Sequence, residues 1–245
     1  MRAFWALLTL TAVGLATGAS ALSCESLRFE GNRYAVCEVA PEHEHLRLFL
    51  NDPSDQPYGD FSSLETALNA DGKTLLFAMN AGMYHDDRAP VGHYVEDGQE
   101  RMRVIANPGP GNFGLLPNGL LCIQANRADV IETRAYQRQR PDCDFATQSG
   151  PMLVIDGELH PRFLPDSTSR YVRNGVGTSA DGKRAVFVIS DTSVTFYEFA
   201  RLFRDGLTLP NALFLDGNVS RLFAPSLNRA DLGRQMGPIV AVTSE

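Results

Sequence analysis

Short apolar runs interrupted by glycine, proline and aspartate dominate the chain from Ser23 onward. Residues 26–29 and 34–39 flank Glu30-Gly31-Asn32-Arg33, the pattern of a hairpin. Strand-like runs follow at 46–50, 74–79, 91–95, 102–106, 119–124, 130–133, 152–155 and 185–189. Residues 212–215 are apolar without periodicity, which predicts a strand covered on both faces, and the run stops at Asp216-Gly217. Residues 239–242 predict one more strand at a sheet edge.

Helical spacing is rarer. Ser62 and Glu65 form a capping box before Leu64, Ala67 and Leu68, with Gly72 past the end, which predicts a helix over 62–70. Thr195 and Glu198 form a second capping box, and Val194 and Phe199 have the spacing of a hydrophobic staple. Phe196, Phe199, Ala200 and Phe203 then share one face as a core-packing stripe, closed by Gly206. Ala70-Asp71-Gly72-Lys73 recurs as Ala180-Asp181-Gly182-Lys183, each time feeding an apolar strand with a polar end. The pattern as a whole predicts an α+β fold: a single strand-rich mixed α/β domain with few helices.

The first residues belong to an address, not to the fold. Arg2 precedes an apolar run over 3–16, and Ala19-Ser20-Ala21 is a small-x-small cleavage site. Residues 1–21 therefore read as a signal peptide and 22–245 as the domain, exported to the periplasm or secreted. No other apolar run reaches the length of a membrane span. The formal charge of −7 argues against nucleic acid, which needs a basic face, while leaving room for an anionic ligand held by local arginines. All four cysteines lie beyond Ala21, as expected for two disulfides in an oxidising compartment. Proximity favours Cys24–Cys37 and Cys122–Cys143 among the three pairings that four cysteines allow; a metal site is the rival, without CxxC spacing to support it.

Four stretches set polar residues beside glycine at strand ends: Asn80-Ala81-Gly82-Met83-Tyr84, Gln148-Ser149-Gly150-Pro151, Arg173-Asn174-Gly175-Val176-Gly177 and Leu215-Asp216-Gly217. Glycine there lets backbone approach a ligand and offer N–H donors, so together they imply a shared cleft. Each also has a plainer reading as a turn. His85-Asp86-Asp87 and His43-Glu44-His45 lack the spacing of a metal site, and Ser149 lacks the Gly-x-Ser-x-Gly elbow of a serine hydrolase.

In this order the segments resemble the phosphodiester glycosidase family. Asn80 to Tyr84 loosely match its Asn-Gly-Gly-Phe-Phe segment, and Pro90-Val91-Gly92 its Pro-x-Gly. Residues 149–157 match its Ser-Gly-(Gly)-Pro-x-Leu-Val stretch, and 173–177 its Arg-x-x-x-Gly. Residues 215–220 match its Leu-Asp-Gly-Gly-x-Ser. The resemblance spans roughly residues 75–223; Ala81 and Asn218 stand where the family has glycine.

That resemblance implies cleavage of the bond between a sugar anomeric carbon and a phosphodiester oxygen, with no cofactor or metal. Asp216 would be the catalytic carboxylate, Arg173 the phosphate clamp, and Asp191 a second carboxylate or a turn residue before the helix. Arg170 would be a second cation or a surface ion pair. Asn80, Gly82, Ser149, Gly150, Asn174, Gly217 and Ser220 would line the substrate site. Two other readings stay open: a non-catalytic binder of cell-envelope glycans, motivated by the altered glycines, and a metal-dependent phosphodiesterase.

Overall fold

The computed structural model describes residues 22–244. The signal-peptide reading falls on residues 1–21, outside the described residues. The fold is α+β and strand-rich, with three sheets and short helices between them.

The largest sheet orders its seven strands as Ser23–Phe29, Asn32–Val39, Ala185–Ser190, Asn174–Thr178, Asn211–Phe214, Met152–Ile155 and Glu158–Leu159. A five-stranded sheet runs Arg229–Ala230, Leu222–Ala224, Leu75–Asn80, Ile239–Thr243 and His45–Phe49. The other five-stranded sheet runs Gln99–Met102, Tyr94–Glu96, Phe145–Ser149, Gly119–Gln124 and Arg127–Glu132.

The hairpin forms as its turn chemistry predicts, with Glu30 and Gly31 both at positive φ. Cys24 and Cys37 face each other across it and are bonded, as are Cys122 and Cys143. Several expectations need correction. The unbroken apolar run of Ala185–Ser190 would suit a parallel strand; it pairs antiparallel on both sides and is apolar because both its faces are covered. Ile239–Thr243 is no edge: it pairs with Leu75–Asn80 on one side and His45–Phe49 on the other. The run 91–95 contributes only its end to Tyr94–Glu96, and 103–106 lies outside any strand. The helix Phe61–Ala70 is capped by Asp60, whose carboxylate accepts from Ser63 N–H at 2.8 Å, so Ser62 is not the cap. The second capping box forms as expected at Thr195 and Glu198. Its α-helix, Phe196–Arg201, then widens into a π-turn over Leu202–Gly206.

The core lies between the sheets. Val39, Phe77, Ile123, Phe187, Leu213 and Val242, drawn from all three, form one buried cluster. Phe77 and Phe187 meet there with ring centroids 5.0 Å apart. A second cluster fills the space between the outer face of the largest sheet and the helix, where Phe199 and Phe203 are fully buried. The strand beneath them, Asn174–Thr178, reads poorly as a strand because Gly175 and Gly177 interrupt it. A Cβ at Gly177 would sit 2.8 Å from both Phe203 and Leu209. The glycines are what allow the helix to dock this closely, and the docked helix is what fixes the segment beginning at Arg173. Removing the ring at the centre of the core should be costly: Phe187→Ala is expected to lose about 3–5 kcal/mol of stability. Urea unfolding monitored by circular dichroism would measure it.

Candidate functional site

Strands from two different sheets end at one place, and two buried amides hold them there. Asn80 closes Leu75–Asn80, Asn174 opens Asn174–Thr178, and both are essentially inaccessible to solvent. The Asn174 side-chain N–H donates to Asn80 Oδ1 at 3.0 Å and to its carbonyl at 3.2 Å. Asn80 in turn donates to the carbonyl of Asp216 at 2.7 Å, and its Oδ1 accepts the N–H of Arg221 at 2.9 Å. Asn174 Oδ1 accepts from the Ser220 hydroxyl at 3.1 Å. The backbone of Asp216 is held a second time, its N–H donating to the carbonyl of Ala81 at 3.2 Å. A charge-bearing loop is thereby locked at both ends by groups that have no alternative partner in water.

The side chain of Asp216, 9% exposed, lines a cavity of about 490 Å³. Arg173 and Gly217 line the same cavity, together with Met83, Asn112, Phe113, Ser169, Tyr171 and Phe214. The two residues most central to the sequence reading therefore face one hollow. A side chain at Gly217 would meet the Phe214 ring at 2.5 Å, so the turn after Asp216 requires glycine.

Arg173 is 2% exposed and held by carbonyls: Nε donates to Val194 O at 2.9 Å and Nη2 to Ser169 O at 3.1 Å. Its guanidinium lies 3.6 Å from the centroid of Phe196. Phe196 stacks in parallel on Phe163 at 5.0 Å, and Phe163 stacks on the His160 ring at 4.7 Å. Such a face contributes about 0.5–2 kcal/mol to holding a cation. Among the described residues, no ion pair includes Arg173. Burial draws its pKa down to about 10, leaving it charged at neutral pH. Burial also lowers His160 to about 4, so the imidazole at the far end of the stack is neutral there. A desolvated cation without a counter-ion, at the wall of an open cavity, is suited to an anion.

The remaining sequence candidates separate into three groups. Asn80, Asn174 and Ser220 form the bracket beneath Asp216 and are not on the wall of this cavity. Gly82, Ser149 and Gly150 are buried packing positions. Gly82 N–H donates to Thr147 Oγ1 at 3.2 Å, and a Cβ at Gly150 would lie 2.7 Å from that of Asn118. Ser149 Oγ is buried without a hydrogen-bond partner. Asp191 and Arg170 lie outside the cavity in exposed ion pairs: Asp191 with Arg229 at 2.9 Å, Arg170 with Glu198 at 3.0 Å. Among the described residues, no three His, Cys, Asp or Glu side chains converge to hold a metal ion. A larger cavity of about 560 Å³ beside the strand Arg127–Glu132 holds none of the sequence candidates.

Comparison with known proteins agrees with the motif series. The sequence model of the phosphodiester glycosidase family matches residues 73–242. The chain belongs to that family. It is similar to the protein YigE of Escherichia coli K12, 31% identical over 222 residues, covering 91% of this chain and 84% of YigE. Among solved structures it resembles the zebrafish N-acetylglucosamine-1-phosphodiester alpha-N-acetylglucosaminidase catalytic domain, auto-inhibited by its pro-peptide. That match has a TM-score of 0.60 at 12% identity, covering 94% of this chain and 85% of that one. A Synechocystis protein matches with a TM-score of 0.59 at 14% identity; this chain is covered to 91% and spans 62% of that protein. At such identities the structural likeness concerns the fold.

Sequence reasoning missed the family member's aromatic wall. Tyr171, 63% exposed, and Phe214 both line the cavity, while Phe163 and Phe196 carry the guanidinium from behind. The signal was available in Tyr171, an aromatic two residues before the arginine. The bracket gives a clear expectation: Asn80→Ala strands the Asp216 carbonyl and the Arg221 N–H in the interior, for a loss of about 3 kcal/mol. Denaturant unfolding of the variant measures that cost.

Proposed function

We propose that this chain hydrolyses the sugar C1–O bond of a sugar-1-phosphodiester, with Asp216 as catalytic carboxylate and Arg173 holding the phosphate. Family membership supports a hydrolase acting on glycosyl phosphodiesters. One observation carries the assignment of residues: Asp216 and Arg173 line the same cavity although 43 positions apart in sequence, and among the described residues no ion pair includes the arginine.

A phosphodiester changes what the site must supply. Ordinary glycosidases place two carboxyl groups about the scissile bond, one to protonate the leaving oxygen. Here the leaving group is a phosphate monoester whose charge is already spread over several oxygens. Arg173 neutralises it as the C1–O bond breaks, so a strong general acid is not needed. Asp216 stabilises the oxocarbenium-like sugar and takes a proton from the water that adds to C1; solvent finally receives that proton. Asp191, paired with Arg229 outside the cavity, has no part in this scheme. Tyr171, exposed on the cavity wall, offers an aromatic face to the sugar ring.

The non-catalytic reading gains little from Ala81. Its side chain is buried in the central core and is not on the cavity wall. Two disulfides suit an oxidising compartment and support export to the periplasm or beyond, with residues 1–21 as the cleaved signal peptide and residues 22–245 as one domain.

Asp216→Asn, which keeps the shape and removes the charge, is expected to lower turnover of a chromogenic N-acetylglucosamine-1-phosphodiester about 10²–10⁴-fold. Unchanged turnover would remove the assignment. Inorganic phosphate at about a hundred times its dissociation constant should stabilise the wild type by about 2.7 kcal/mol. Thermal unfolding should show that shift in the wild type and a clearly smaller one in Arg173→Met.

A further inference from the structure

The cavity does not end at Asp216. Val172 and Gly217 line it and also line a neighbouring groove of about 450 Å³, whose far wall is Arg221, Leu232, Gly233 and Arg234. Arg221 is 5% exposed. Its Nη2 donates to the carbonyl of Arg234, and its guanidinium lies so close under Gly233 that a Cβ there would approach it to 2.7 Å. No ion pair among the described residues includes Arg221 or Arg234.

The acids nearby are committed elsewhere. Asp231, the acidic residue on the groove wall, accepts from Arg229 Nε at 3.0 Å, from Arg229 Nη2 at 2.9 Å and from Leu222 N–H at 3.0 Å. The charges of Asp60 and Asp231 both reach Arg221 through space, but neither pairs with it, and Asp60 caps the helix Phe61–Ala70. Arg221 therefore repeats the situation of Arg173, a desolvated cation beside open space without a carboxylate of its own. Arg234, exposed at the same rim, adds a second positive charge. Two cationic centres thus lie along one continuous depression, with Gly217 at the junction.

We propose that this groove is an aglycone subsite for a second phosphate, so that the substrate is a glycosyl phosphodiester whose aglycone itself carries a phosphate. Repeating sugar-phosphate polymers have this chemistry. The proposal rests on the glycosidase reading of Asp216 and Arg173 and adds the direction in which the aglycone leaves the site: across Gly217 and away from Tyr171. Leu232, 92% exposed at the rim, offers an apolar contact to the chain between the two phosphates.

Two probes test it: N-acetylglucosamine-1-phosphodiesters carrying glycerol or glycerol phosphate as aglycone. Turnover is measured with the wild type, and binding by calorimetry with Asp216→Asn, each with and without Arg234→Gln at the exposed position. The wild type is expected to favour the glycerol phosphate probe about tenfold in kcat/KM, chiefly through KM. Added salt should shrink that preference, and Arg234→Gln should cut it several-fold. Equal kcat/KM for the two probes would overturn the subsite and leave the glycosidase reading standing. No turnover of either probe, with the charged aglycone still bound more tightly and Arg234→Gln abolishing the difference, would sustain the subsite and overturn the glycosidase reading. Equal binding of both would overturn the subsite in that case too.

Discussion

A buried pair of side-chain amides, Asn80 against Asn174, is the contact on which the site depends. It joins the last residue of a strand in one sheet to the first residue of a strand in another, 94 positions away in sequence. Neither amide is exposed, so each hydrogen bond replaces one that water cannot supply, and leaving any of them unmade costs the full desolvation of the group. The pair also fixes geometry. Through the Asp216 carbonyl, the Arg221 N–H and the Ser220 hydroxyl, it determines where the loop after Leu215 leaves the core. Packing brings the sheets together; the amides decide which residues emerge at the seam.

Arg173 illustrates the opposite balance. Burying a guanidinium without a carboxylate is unfavourable, and the fold compensates only in part, with two carbonyls and a stack of rings. Phe196 belongs to the same apolar stripe that docks the helix on Gly175 and Gly177. Helix packing and placement of the cation are therefore one arrangement, and a chain selected for stability alone would have little reason to keep it. In the proposed reaction the substrate's phosphate would complete the coordination that the protein leaves open. Arg221 repeats that logic one groove away.

Much of the fold can be read locally. The Glu30-Gly31 turn, the Thr195–Glu198 capping box and the Asp-Gly turns before two core strands are short-range signals, and each forms. The short helix Thr133–Gln139 carries no apolar stripe to announce it; its cap is Glu132, an unusual choice. The place of Ile239–Thr243 inside its sheet was equally hidden, because both partners lie far away in sequence. The site divides in the same manner. Asp216-Gly217 was legible from the abrupt end of an apolar run. Arg170 and Arg173 look alike in sequence; only the fold turns one toward Glu198 and the other over Phe196. Asn80 and Asn174 resemble turn formers beside glycine, and nothing local distinguishes a turn amide from one that clamps two sheets.

The central claim is that a carboxylate and an unpaired guanidinium, brought together by the amide clamp, break the bond on the sugar side of a glycosyl phosphodiester. Hydrolysis in heavy-oxygen water, with mass spectrometry of both products, tests it most directly. Label in the sugar, with none in the phosphate monoester, is the predicted outcome. Label in the phosphate would place the cleavage at phosphorus and contradict the account.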